Sequence, residues 1–281
     1  MLGFGRFTSF GWENRKFHSK AATNFNNLEC SAIMLYSTIK GLLFTACCSI
    51  LFSFNTAVAK DRATNPFDAV ASFNHDQKSL ALLTKMSKAA PAANPNVIGL
   101  ALSALDCALS QGMTPARNLT VIDYSLMSTT PRLWVFDLIT GKLLFQELVA
   151  HGKNTGENFA RNFSNTYGSL QTSLGLFRTK ETYMGSNGYS LRMEGLEDGF
   201  NDKAMERAIV FHGADYVDLK LAKKLGRLGR SWGCPAVRRG IARKVIDTIK
   251  GDQFLFSYYP DQKWLTTSQF LNCPGRQLAK N

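Results

Sequence analysis

Cysteine and histidine are the residue types best suited to covalent chemistry at neutral pH, and here one of each stands in a favourable context. Cys234 lies in Gly229-Arg230-Ser231-Trp232-Gly233-Cys234-Pro235-Ala236-Val237. A glycine before it lets the backbone take an unusual turn and bring N–H groups close to a bound carbonyl. A cysteine on such a turn can present its sulfur and its own N–H together, as a thiolate nucleophile with an oxyanion pocket requires. Arg230 would favour the thiolate or hold a substrate carboxylate. His212 ends the apolar run Ala208-Ile209-Val210-Phe211, expected as a strand, and Gly213 follows it. If the intervening loop folds back, its imidazole can take the thiol proton. The competing readings are a buried apolar cysteine and a structural histidine.

His151-Gly152 repeats the His-Gly pair after Leu148-Val149-Ala150. It is expected either to line the same cleft without a catalytic part or to end a strand. His75 falls among helix residues and reads as a surface residue. No C-x-x-C, H-x-x-x-H or H-E-x-x-H spacing occurs, so no metal is expected. Phosphate-loop and G-x-G-x-x-G patterns are missing too, and no cofactor is implied.

The elements that must position these residues change period along the chain. Residues 60–118 read as a helical N-terminal segment. Asn65-Pro66 opens it, Asp76 to Ala90 is rich in Leu, Lys and Ala, and Pro91 and Pro95 interrupt it. From Val97 the apolar positions Ile98, Ala101, Leu102, Leu105, Ala108 and Leu109 recur at three and four, and Gly112 serves as a stop. This pair is expected as an appendage on the main body. Residues 119–281 form the expected catalytic domain. Thr120–Tyr124 is β-rich, and Leu133–Leu138 with Leu143–Ala150 flanks the turn Thr140-Gly141-Lys142 as a hairpin. Gly175–Thr179, Tyr189–Met193, Ala208–Phe211 and Phe254–Tyr259 are further strands. Many short strands with few helices point to a mainly β fold, a mixed sheet or barrel-like sandwich.

The chain has 281 residues, 45% hydrophobic and 19% charged, which excludes a disordered chain or a polytopic membrane protein. Its net charge of +12 is scattered rather than run together, so no nucleic-acid partner is expected. The same charge suits work beside an anionic envelope polymer. Residues 41–59 carry no charge; Lys40 precedes them and Ala57-Val58-Ala59 ends them, as in a secretory signal peptide. Met34 begins an ordinary short n-region, so residues 34–59 read as the signal and 1–33 as an upstream extension. An uncleaved segment would instead hold the protein at the membrane. Export places the chain in the periplasm or cell envelope. Cleavage removes Cys30, Cys47 and Cys48 and leaves Cys107, Cys234 and Cys273. With Cys234 kept free, the other two can pair in an oxidising compartment, or both stay reduced with Cys107 filling an apolar face.

His212-Gly213 followed by Ser231-Trp232-Gly233-Cys234 resembles the signature of the L,D-transpeptidases of bacterial peptidoglycan, the YkuD-like domain. Arg132–Asp137 with Thr140-Gly141-Lys142 resembles the family's opening hairpin, and Ser173-Leu174-Gly175-Leu176-Phe177 its Pro-x-Gly-x-Phe segment. The run from Gly226 to Val237 is most similar to a subgroup of murein L,D-transpeptidase catalytic-domain proteins. The likeness covers roughly residues 119–260. In two places the pattern differs: Trp232 stands where the family usually has His, and Pro235 where it has Ile or Val. The resemblance implies the YkuD-type fold and acyl transfer on peptidoglycan stem peptides. The resemblance implies Cys234 as the nucleophile, His212 as the base and the Gly233 and Cys234 amides as oxyanion donors, with Gly233, Ser231, Arg230, Trp232, Gly213 and His151 around the substrate. Alternatives are an L,D-carboxypeptidase or endopeptidase with water as acceptor, and a non-catalytic murein-binding protein.

Overall fold

A computed structural model describes residues 77–273. The expected signal (34–59), the extension 1–33, the Asn65-Pro66 opening and His75 lie outside these residues. Helix α1 spans Gln77–Ala89 and α2 spans Pro95–Ser110. Pro95 does not interrupt a helix but begins one: it occupies the first turn of α2, whose orphan N–H groups are capped by the Asn94 side chain accepting from Asn96 N. Gly112, at φ +89°, closes the other end, with Met113 N–H donating to Ala108 O.

Strands follow at β1 (Asn118–Asp123), β2 (Leu133–Asp137), β3 (Leu143–Glu147), β4 (Gly175–Gly185), β5 (Gly188–Gly195), β6 (Val210–Ala214), β7 (Ala236–Arg238) and β8 (Phe254–Tyr258). Helices α3 (Leu219–Leu225), α4 (Arg239–Ile249) and α5 (Gln262–Thr267) intervene. The strands make one mixed sheet in the order β3-β2-β1-β8-β4-β5-β6-β7. β1 and β8 are parallel, as are β6 and β7; the other pairs are antiparallel.

This sheet curls until its edges meet. Beyond β3, Ala150 N–H donates to Ala236 O of β7 at 2.8 Å. Arg238 grips Glu147 through two hydrogen bonds of 2.8 Å each. The fold is therefore mostly sheet, nearly closed and barrel-like, with few short helices. Closure removes exposed edges.

Alternation along the central strands supplies two apolar layers. Leu119, Val121, Trp134, Phe136, Leu176, Phe254 and Phe256 face α2, most of whose residues are buried. The N-terminal helices thus pack on the body as expected, and α2 belongs to its core. Ile122, Leu133, Val135, Phe177, Leu191, Phe211 and Leu255 face inward, where α4 adds Ala242, Val245, Ile246 and Ile249. Among the described residues no helix is long and apolar enough to cross a membrane.

One strand differs from expectation. Ala208 is not in a strand but in a turn at φ +53°, and β6 begins at Val210. His212 therefore sits in mid-strand, opposite Ser190 on β5 and Ala236 on β7. The turn wins because Arg207, Ala208 and Ile209 donate their N–H groups back to Lys203, Met205 and Ala204.

Candidate active site

Ser231 shapes the turn that carries Cys234. Its hydroxyl donates to Cys234 O at 2.6 Å and accepts from Gly233 N–H at 3.1 Å. Its own N–H donates to His151 O, and its carbonyl accepts from Lys153 N–H at 2.7 Å. Gly233 has φ +129°, and a Cβ there would stand 2.8 Å from Gln171 O and 3.0 Å from Ile209 Cδ1. Both the conformation and the space demand glycine. Because the Gly233 N–H is spent on Ser231, it does not point into an oxyanion pocket as expected. Among the described residues, the Cys234 N–H has no hydrogen-bond partner.

The Cys234 thiol is half-buried against the inner apolar layer. Its sulfur accepts from Val210 N–H at 3.4 Å and donates to Ala208 O at 3.7 Å. Burial pushes the thiol above the ordinary cysteine range, opposed by the Val210 hydrogen bond and the charge of Arg207.

His212 lies on the strand beside that turn, its N–H donating to Pro235 O. Nδ1 is 3.1 Å from Gly213 O, which makes Nδ1 the protonated nitrogen. Nε2 has no hydrogen-bond partner among the described residues and keeps its lone pair. Burial holds the imidazole below its ordinary range, so it is neutral at pH 7. His212 and Cys234 share no hydrogen bond in this state. Gly213 packs against the body: its carbonyl accepts from His212 Nδ1, and a Cβ on it would strike Ala242 of α4 at 2.6 Å.

His151 does not line a cleft either. It is 1% exposed, with Nδ1 accepting from Arg132 Nη2 at 2.8 Å and Nε2–H donating to Gly156 O at 3.2 Å. Burial and the Arg132 charge push it down to about 4. Gly152 explains the second His-Gly pair: its Cα packs where a Cβ would meet Leu170 O at 2.5 Å and Gly233 Cα at 2.9 Å. The pair packs against the turn that carries Cys234.

Arg230 is engaged elsewhere too, donating to Lys153 O, Gly156 O and Glu157 Oε1. The cation beside the thiol is Arg207, which sequence reasoning passed over. Trp232 projects into solvent, 78% exposed, on the pinned turn next to the sulfur. Two phenols that sequence reasoning did not single out, Tyr124 and Tyr216, also feel the thiol's charge, and burial keeps both neutral. Tyr124 lines a small cavity beneath Gly233 and Pro235, and its buried hydroxyl has no partner among the described residues.

A family model described as the L,D-transpeptidase catalytic domain matches residues 89–258. Among solved structures, an L,D-transpeptidase from Mycobacterium smegmatis is 15% identical with a TM-score of 0.33, over 52% of this chain and 60% of that one. An L,D-transpeptidase from Stackebrandtia nassauensis is 12% identical with a TM-score of 0.31, over 69% and 89%. An L,D-transpeptidase solved in complex with imipenem is 15% identical with a TM-score of 0.31, over 50% and 58%. The chain thus spans about three-fifths of the length of the first of these. No curated protein was found to match the sequence.

Proposed function

Because the chain belongs to the L,D-transpeptidase catalytic domain family, we propose that it is an exported cysteine acyltransferase acting on peptidoglycan stem peptides. The observation that carries this reading is the Cys234 sulfur on a glycine-dependent turn, beside a strand whose neutral histidine keeps Nε2 free. A raised thiol and a lowered imidazole describe a neutral resting pair, so proton transfer belongs to the reaction itself.

His212 Nε2 takes the Sγ proton as the sulfur attacks the carbonyl of an L-centre in the stem. The Cys234 N–H stabilises the oxyanion that forms. Collapse breaks the C–N bond, and His212 returns the proton to the departing D-alanine amine, leaving a thioester. The amine of a second stem then attacks the thioester and gives its proton to His212; the C–S bond breaks as the new amide forms, and His212 passes that proton to the departing sulfur, restoring the neutral pair. Trp232 offers an exposed ring against which the incoming stem can pack. The Cys107–Cys273 disulfide supports export, since such bonds persist in oxidising compartments.

Incubation with imipenem, followed by intact mass measurement, tests the nucleophile. A single adduct on the wild type and none on Cys234→Ala are expected. His212→Gln should slow acylation by about 10²–10⁴-fold. Crosslinked stem peptide from purified tetrapeptide substrate is the expected product. Free tripeptide alone would make water the acceptor, and an adduct on Cys234→Ala would remove the nucleophile assignment.

A further inference from the structure

Arg207 sits in the turn before β6 and reaches toward the loop at residues 164–171. Its Nη1 donates to Ser164 O at 2.6 Å and Ser173 Oγ at 2.5 Å. Its Nη2 donates to Ser169 Oγ at 3.1 Å and Gln171 O at 2.6 Å. Four acceptors therefore fix the guanidinium fork, yet Nε is buried with no partner among the described residues. A buried donor left unpaired is costly and calls for an explanation.

The fork also lies against the nucleophile turn. Arg207 Nη2 is 3.5 Å from where a Cβ on Gly233 would stand, and Gln171 O, held by the same Nη2, is 2.8 Å from it. Leu170 O in that loop approaches Gly152, which packs on Gly233. Two non-glycine residues in this assembly, Leu170 at φ +57° and Ala208 at φ +53°, hold left-handed conformations that ordinary side chains avoid. Ala208 follows Arg207 directly and offers its carbonyl to the Cys234 thiol. Strain of this kind persists where surrounding contacts over-determine it.

We infer that Arg207 is a positioning residue for Cys234: it clamps loop 164–171 against the nucleophile turn and holds positive charge beside the sulfur as it becomes anionic. The inference rests on the reading of Cys234 as nucleophile. The titratable groups coupled to the thiol are Arg207 from the turn before β6, Tyr124 from the segment after β1 and Tyr216 from the segment after β6, while His212 on β6 shares no hydrogen bond with it. The phenols stay neutral over the working range, so Arg207 is the fixed charge among them.

Iodoacetamide alkylation of the native protein, followed from pH 6 to 11, reads thiol ionisation without any peptidoglycan substrate. The disulfide leaves Cys234 as the single free thiol of residues 77–273; peptide mapping assigns the modified site. Arg207→Gln should raise the apparent thiol pKa by about one unit, a roughly tenfold lower alkylation rate at neutral pH. Arg207→Lys keeps the charge and should leave the profile near the wild type. Because an ammonium cannot span four acceptors, Arg207→Lys should also speed chymotryptic cleavage at Tyr167, 72% exposed on the clamped loop. Folded Arg207→Gln with the wild-type alkylation profile would overturn the inference. If Arg207→Gln does not fold, Arg207→Lys decides it: unchanged cleavage at Tyr167, or a thiol profile moved upward by a full unit, overturns it. A profile that responds as expected in a protein with no acyltransfer to stem peptides would instead sink the peptidoglycan reading and leave this one standing.

Discussion

Acid should unfold this protein partly through His151, and the size of the effect follows from its surroundings. In the unfolded chain the imidazole takes a proton near 6.5; in the fold, burial and Arg132 at 2.8 Å hold it down to about 4. Arg132 is itself 0% exposed and donates to Val149 O and Leu126 O as well, so it cannot retreat from an imidazolium. Between pH 6.5 and 4 the unfolded chain binds the extra proton, so stability rises with pH there. The contribution is complete above pH 6.5 and lost as pH falls to about 4. A difference of about 2.5 units is worth about 3 kcal/mol. His151→Gln provides the comparison: its amide can accept from Arg132 and donate to Gly156 O, yet has no proton to gain. Urea unfolding at half-unit steps from pH 7 to 4 should show the wild type losing about 3 kcal/mol more than His151→Gln. Carboxylates and His212 titrate in both proteins and cancel. Parallel stability curves would refute the reasoning and mean that His151 is protonated, or solvated, in the folded state.

Gly233→Ala should lower stability by about 1–3 kcal/mol, since the new Cβ meets a backbone carbonyl in a left-handed conformation. It should also slow imipenem acylation by about 10²-fold through displacement of the sulfur. Gly240→Ala, in open space on α4, is the control and should match the wild type in acylation; equal rates for both variants would show that the turn tolerates a side chain. The Cys107–Cys273 bridge closes a separation of 166 residues, so reduction should cost about 2–5 kcal/mol and lower Tm by about 5–15 °C. Alkylation of the denatured, unreduced chain comprising residues 60–281 should mark Cys234 alone, whereas three marked cysteines would rule the bridge out.

Much of the scaffold was legible because local periodicity survives folding. The three-and-four spacing from Ile98 to Leu109 became α2, and the run Leu133–Leu138 with its Gly141 turn became the β2–β3 hairpin. Ile241, Val245, Ile246 and Ile249 carry the same three-and-four helical spacing, and α4 is the helix it specifies. The Gly233-Cys234 pair was also visible, since a left-handed glycine next to a lone thiol is a local feature. What each polar side chain faces was not local. Two His-Gly pairs look alike in the chain, yet Arg132, 19 residues from His151, locks one imidazole in the interior while β6 leaves Nε2 of the other free. Arg230 sits four residues from Cys234 and turns away to Glu157, whereas Arg207, 27 residues away, lies against the turn. Sequence proximity decides backbone geometry over a few residues. Which charge meets the sulfur depends on how β6, β7 and loop 164–171 are brought together when the sheet closes.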